Sequence, residues 1–197
     1  MNKIVIIGES GHGKVVADIA KACGYEEILF LDDAEKPLSV GKVSDYIKYK
    51  EEAAFVVAIG NSRIRERIQK QLLGDECKVE TLVHPQAVIG SDVSIGIGTV
   101  IMPGAVINAG ACIGSGVIIN TCSSVDHDCE IRDYCHVAVG SHLAGTVLVG
   151  EHTWIGAGAT ISNNLSICAE CMIGAGAVVV KDIAESGTYV GVPAKKL

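Results

Sequence analysis

The rhythm of apolar positions changes near residue 80. Before it, short apolar runs alternate with longer charged stretches. Ile4 to Ile7, Ile28 to Leu31, Phe55 to Ile59 and Val79 to Val83 have the length and aliphatic content of strands. The segments from Lys14 to Cys23 and from Ser62 to Leu73 have apolar residues at helical spacing. Strands alternating with helices predict a small parallel sheet with helical cover. From Ile89 onward a different beat takes over, and every sixth residue up to Val179 is Ile, Val or Leu. Two places before each aliphatic the residue is nearly always small or β-branched, as at Ala87, Thr99, Ala105, Cys129, Ser141 and Ala177; Leu165 is the bulkiest exception.

A period of six fits neither a helix of 3.6 residues per turn nor a simple alternating strand. It fits a short strand plus a corner, repeated as the sides of a prism whose coil closes after three sides. The aliphatics then fill the interior, rungs stack at about 4.8 Å, and Gly90, Gly96, Gly114, Gly150, Gly156 and Gly174 are expected at the corners. The predicted architecture is an α/β domain over residues 1–80, with a small Rossmann-like parallel sheet. A parallel β-helix follows over residues 81–197 and ends in a capping segment.

Composition narrows the function. A net charge of −7 with no basic run argues against nucleic-acid and anionic-membrane partners. The opening apolar run is broken by Gly8 and Glu9, too early for a signal-peptide core, and no later stretch has the length of a membrane span. A cytoplasmic protein acting on small metabolites is expected. Several of the eight cysteines fall on the small-residue beat, so they are read as reduced packing residues rather than a disulfide framework.

The turn Gly8-Glu9-Ser10-Gly11-His12-Gly13-Lys14-Val15 nearly matches the phosphate-gripping GxxxxGK[ST] loop. Val15 stands where that loop needs a hydroxyl for magnesium, which argues against an ATPase. Glycines between a strand and a helix N-terminus still present N–H groups suited to a diphosphate. Leu31-Asp32-Asp33 closes the second strand about twenty residues on, where a carboxylate reaches a ribose or base in such folds. Together these predict a nucleotide site; the plain alternative is a tight structural turn beside a solvated acid pair.

Within the repeat, the segment from Asn120 to Cys129 departs from Gly and Ala filling. His127 lies between Asp126 and Asp128, a pattern suited to a general base whose partner acid fixes the tautomer. One coil of eighteen residues places Gly145 beneath His127, where its N–H is a candidate oxyanion donor. His136 is half a coil away from His127, so a site using both requires neighbouring subunits, as in a homotrimer.

These residues carry a resemblance. The glycine turn, Leu31-Asp32-Asp33, Ala58-Ile59-Gly60-Asn61, Leu82-Val83-His84-Pro85, His127-Asp128 and the ending Gly191-Val192-Pro193-Ala194-Lys195 resemble the sialic-acid O-acetyltransferase-like family over essentially the whole chain. The nearest members are the UDP-4-amino-sugar N-acetyltransferases of bacillosamine synthesis. The resemblance implies a left-handed coil, a cytoplasmic homotrimer, acetyl-CoA as co-substrate, no metal, and N-acetylation of a nucleotide-linked, UDP-type 4-amino sugar. It implies that His127 accepts the proton and Asp128 raises its basicity, with Asp126 as a competitor for that role. It further implies that His136, Gly145, Ala157 and Ala175 meet acetyl-CoA. Ser10, Gly11, His12, Asp32, Asp33 and Gly60 would hold the nucleotide sugar, with Asn120 added to that set.

Three other readings share parts of this pattern. Sugar O-acetylation needs a stronger base on the same scaffold. A non-catalytic trimer would bind nucleotide only. In a prismatic zinc enzyme resembling the gamma-class carbonic anhydrases, His127, His136 and His142 would be ligands, although separations of nine and six do not stack them on one side. Cys168 and Cys171 have a zinc-like spacing without a second pair, and are read as structural.

Overall fold

The computed structural model describes residues 2–197 and divides into two compact units, the first running to Pro85 and the second from Gln86 to Leu197. Among the described residues no helix is long and apolar enough to cross a membrane.

In the first unit, β1 (Lys3–Ile7) lies between β2 (Glu27–Leu31) and β3 (Ala54–Val57), all parallel. Strands covered on both faces read as continuous apolar runs, as Ile4 to Ile7 does. Val5, Ile7, Leu31, Phe55 and Val57 pack with Ile68 and Leu72 of the second helix, α2 (Ser62–Gly74). Helix α1 (Gly11–Ala22) starts three residues earlier than its apolar spacing suggests, because the Ser10 hydroxyl accepts the Gly13 N–H and caps it. Gly13 has no alternative: a Cβ there would sit 2.1 Å from the Gly8 carbonyl oxygen. The expected fourth strand is reduced to one parallel bridge between Val79 and Phe55 and a two-residue strand at Leu82–Val83. A 3₁₀ segment at Val43–Tyr49, not foreseen from the pattern, burying Tyr46, fills the link between β2 and β3.

The second unit is a parallel β-helix. Two-residue strands recur every six positions and stack eighteen apart into three sheets, as in Ser124 under Val106 and over His142. The aliphatics line the interior: Ile107, Ile119, Val125, Val137, Ile155 and Ile161 are fully buried, whereas Ile89 in the first rung is exposed. The hydroxyl and thiol residues two places earlier stay inside by donating to backbone carbonyls, as Thr99 does to Gly114 and Cys135 to Gly150.

One expectation is corrected at the corners. Every sixth residue from Asp92 to Gly176 has φ between +55° and +73°, and eight of these are not glycine, including Asp128, Thr146 and Asn164. The glycines expected to supply that conformation sit elsewhere. At Gly90, Gly96, Gly150 and Gly156 a Cβ would come within 2.3–2.7 Å of the backbone of the next rung. Those glycines are needed for close approach between coils, not for a left-handed turn.

Candidate functional site

The residues predicted for the nucleotide gather at the carboxyl ends of β1, β2 and β3. Strand order β2-β1-β3 puts the switch point between β1 and β3, the place where open α/β sheets take ligands. The turn after β1 is tied to the end of β2 by the Glu9 N–H, which donates to Asp32 Oδ2 at 2.8 Å. Asp32 Oδ1 accepts from the Ala34 N–H, and Asp33 Oδ1 accepts from the Val43 N–H at 3.0 Å, so both acids shape their own loop. Beside them opens a cavity of about 380 Å³ walled by Asp32, Asp33, Lys36, Ser39, Gly41 and Lys42. Gly11 and His12 begin α1. His12 is largely buried, and burial, reinforced by the Arg65 guanidinium, lowers its pKa to about 4, so it is neutral at pH 7.

In the β-helix, His127 occupies a corner immediately after the strand Ser124–Val125. Its Nδ1 lies 2.8 Å from Asp128 Oδ2. That contact fixes the proton on Nδ1 and leaves Nε2 as the basic nitrogen. The Asp128 hydrogen bond, then the charge of Asp126, raises the pKa of His127 above the usual histidine value. Asp126 does not touch the ring: its Oδ1 accepts from the His127 N–H and from Asn108 Nδ2, one rung above. Both side chains of the His127–Asp128 pair are more than half exposed, so the pair is a device for orientation more than for stability.

His127 lies over Gly145. A Cβ on Gly145 would meet His127 Nε2 at 2.5 Å. The Gly145 N–H donates to nothing among the described residues, and neither do those of Ala157 and Ala175, which stack eighteen residues apart at another corner. His136 is on the face opposite the His127 corner, in the strand between those of Ile118 and Trp154. It is 7% exposed, packs against Trp154 at 4.3 Å, and its Nε2 lies 3.0 Å from Asn120 Nδ2. Because Asn120 Oδ1 accepts from the Thr121 N–H, the amide nitrogen faces His136, whose Nε2 is therefore an acceptor. Asn120 thus joins His136 rather than His127.

The histidines do not gather as a metal site. His142 Nδ1 pairs with Ser124 Oγ at 2.9 Å, His136 with Asn120 and His127 with Asp128. Among the described residues no group of three or more His, Cys, Asp or Glu is placed to hold a metal ion.

This combination of units is shared with known proteins. Residues 3–72 match the PglD N-terminal domain, and residues 86–121 and 146–181 match the bacterial transferase hexapeptide repeat. A GDP-perosamine N-acetyltransferase of Escherichia coli O157:H7 is 32% identical over 181 residues, covering 84% of this chain and 80% of that protein. The chain belongs to the PglD-type hexapeptide acetyltransferases. A UDP-N-acetylbacillosamine N-acetyltransferase of Bacillus subtilis (strain 168) is 35% identical over 111 residues, 51% of each chain. The acetyltransferase domain of PglB from Neisseria gonorrhoeae, solved with acetyl coenzyme A, superposes with a TM-score of 0.97 at 38% identity, covering 100% of this chain and 99% of that one.

In this PglD-type acetyltransferase two contributors escaped the sequence reading. Arg65, 1% exposed, donates from Nη1 to the carbonyls of Ile59 and Gly60 and so fixes the loop after β3. Nothing in the charged run of α2 distinguishes it from Arg63 or Arg67. Asn108, the anchor of Asp126, was findable, since it stands one coil of eighteen before that acid.

Proposed function

We propose that this acetyltransferase moves an acetyl group from acetyl-CoA to the 4-amino group of a nucleotide-linked amino-deoxy sugar, with UDP as the nucleotide. The observation that carries this reading is the stacking of His127 Nε2 over Gly145, whose N–H is unused, with Asp128 on the opposite ring nitrogen. The names of the relatives supply the substrate class, GDP-perosamine for one and UDP-N-acetylbacillosamine for another.

Acetyl-CoA supplies the acetyl group as a thioester, and the fit of this chain to it rests on the unpaired amides of Gly145, Ala157 and Ala175. In the proposed reaction the sugar nitrogen forms its bond to the thioester carbonyl carbon and the carbon–sulfur bond breaks. His127 Nε2 takes the proton that the nitrogen loses and returns it to the leaving sulfur. Asp128 holds Nδ1–H and stabilises the imidazolium while it lasts. The Gly145 N–H donates to the carbonyl oxygen as charge develops there; in other enzymes one such donor accounts for about 3–4 kcal/mol.

His136 stands on the face opposite the His127 corner, so one chain does not bring the two together. We place His136, Ala157 and Ala175 of one subunit against His127 and Gly145 of its neighbour in a cytoplasmic homotrimer. The first unit supplies Ser10, Gly11, His12, Asp32, Asp33 and Gly60 toward the nucleotide sugar. The test is a panel of UDP-, GDP- and dTDP-4-amino sugars with acetyl-CoA, following release of free CoA thiol. Turnover with the UDP sugar, lost in His127→Ala by about 10²-fold or more, supports the reading. Turnover confined to a GDP or dTDP sugar overturns the nucleotide assignment, and unchanged turnover in His127→Ala overturns the base.

A further inference from the structure

The left-handed position at the His127 corner recurs in every rung. Asp92, Gly110, Asp128, Thr146 and Asn164 hold it in turn, with φ between +56° and +73°. Four of these five carry a side chain, so the backbone of this corner does not call for glycine. Glycine stands at 110 alone, in the rung directly above Asp128. A Cβ on Gly110 would lie 2.7 Å from Asp128 Oδ1, and its three nearest atoms would all belong to Asp128.

The backbone around Asp128 is tied to that upper rung. The Asp128 N–H donates to the Ala109 carbonyl at 3.0 Å. One residue earlier, the His127 N–H donates to Asp126 Oδ1, which Asn108 Nδ2 holds at 2.7 Å. With the main chain fixed at these points, the part of Asp128 free to move is its carboxylate, and that group is 66% exposed. Its two oxygens divide the work: Oδ2 lies 2.8 Å from His127 Nδ1, and Oδ1 faces Gly110. A group pressing on Oδ1 therefore turns the carboxylate toward solvent and draws Oδ2 off the ring.

The neighbouring column repeats the arrangement from below. Ser91, Ala109, His127, Gly145 and Asn163 follow one another at steps of eighteen, and the single glycine stands beneath the imidazole. A side chain above the acid or below the base would meet the pair.

We infer that Gly110 is a positioning residue: its missing side chain leaves the Asp128 carboxylate the space in which it meets His127 Nδ1. The inference rests on the reading of His127 as the base and adds what keeps that base aimed. An exposed ion pair contributes little to stability, so loss of the contact is read in the titration of the ring and not in a melt. Backbone strain from a left-handed alanine lowers the melting temperature but does not of itself move the proton on an imidazole.

Gly110→Ala and Gly110→Asn test the inference. Both place a Cβ at the same point, and asparagine tolerates the left-handed conformation should the alanine variant fold poorly. NMR titration of the His127 ring, identified by its absence in His127→Gln, reads pKa and tautomer without substrate. Both variants are expected to titrate at lower pH than the wild type, because the Asp128 hydrogen bond is the largest cause of the raised value. They are also expected to mix the Nε2–H tautomer with the Nδ1–H form. In an Asp128→Asn background the same substitutions should leave the titration where it is. With substrates, kcat should fall about tenfold or more while KM for acetyl-CoA changes by less than about twofold, a part of the roughly 10²–10⁴-fold that a positioned base contributes. An unchanged titration and tautomer in both variants, or an equal shift with and without the Asp128 carboxylate, overturns the inference. A lowered titration with unchanged kcat keeps the positioning role and sinks His127 as the base, so the two failures are separable.

Discussion

The imidazole of His127 occupies the space where a Cβ on Gly145 would be, with Nε2 2.5 Å from that point. Glycine at 145 therefore does two things at once: it leaves room for the imidazole and exposes an N–H that nothing else among the described residues uses. Gly145→Ala should displace the ring and blunt the amide. A fall in kcat of about 10²-fold is expected, in the range seen on losing an oxyanion donor. The thermal midpoint should change little, because the His127 side chain is exposed; a large fall in midpoint would show that the contact is structural.

The pH dependence follows from the same pair. In the mechanism proposed above His127 acts unprotonated, and Asp128 raises its pKa. Activity should climb with pH through a limb lying above 6.5, the ordinary histidine value. Asp128→Asn should lower kcat and move that limb to lower pH, since the largest cause of the raised value is removed. A pH–rate profile of both proteins reads the shift, and a limb that stays in place would assign the titration to another group.

His12, whose pKa is shifted the other way, gives a dependence read in stability. Its folded pKa is about 4, below the unfolded value of 6.5, so between these pH values the unfolded chain takes up a proton that the folded chain resists. The contribution is complete above pH 6.5 and is lost as pH falls toward 4. It amounts to roughly 3 kcal/mol across that window. Denaturant titrations at pH 7 and pH 4.5 should show a loss that is largely absent in His12→Asn. An equal loss in both proteins would place the acid sensitivity elsewhere.

Much of this was legible in the chain itself. The six-residue beat reveals the prism because an aliphatic in each strand must enter a shared interior, and a stacking step of eighteen alone puts His127 over Gly145. What the pattern hid was backbone conformation. The left-handed corners fall on Asp92, Cys122, Tyr134 and His152 as readily as on glycine, so composition points to the wrong positions. The loops proposed to hold the nucleotide were legible from their glycines and acids. Their support was not, because Arg65 reads as one more solvated helix charge until its burial is seen. Asn120 reads as a substrate residue in the sequence, and its pairing with His136 is visible only in the structure.

Thr146 makes the corner rule testable. It is exposed, β-branched and held at φ +60°, a combination that costs about 1 kcal/mol or more in strain. Thr146→Gly should stabilise the second unit by about 0.5–1 kcal/mol, a gain visible in a thermal or denaturant melt and unusual for a glycine substitution. Loss of stability would mean that the threonine side chain makes a compensating contact.

A coil of fixed circumference also dictates how this chain tolerates change. Each side chain has its nearest outside neighbours eighteen positions before and after it, so Asn108 with Asp126, Ser124 with His142, and His127 with Gly145 behave as vertical couples. Double substitutions at that separation should depart from additivity while sequence-adjacent ones on different faces do not. Length variation is quantised likewise: gain or loss of a whole turn keeps the remaining rungs in register, yet it shifts by one rung the distance between the His127 corner and the C-terminal hairpin.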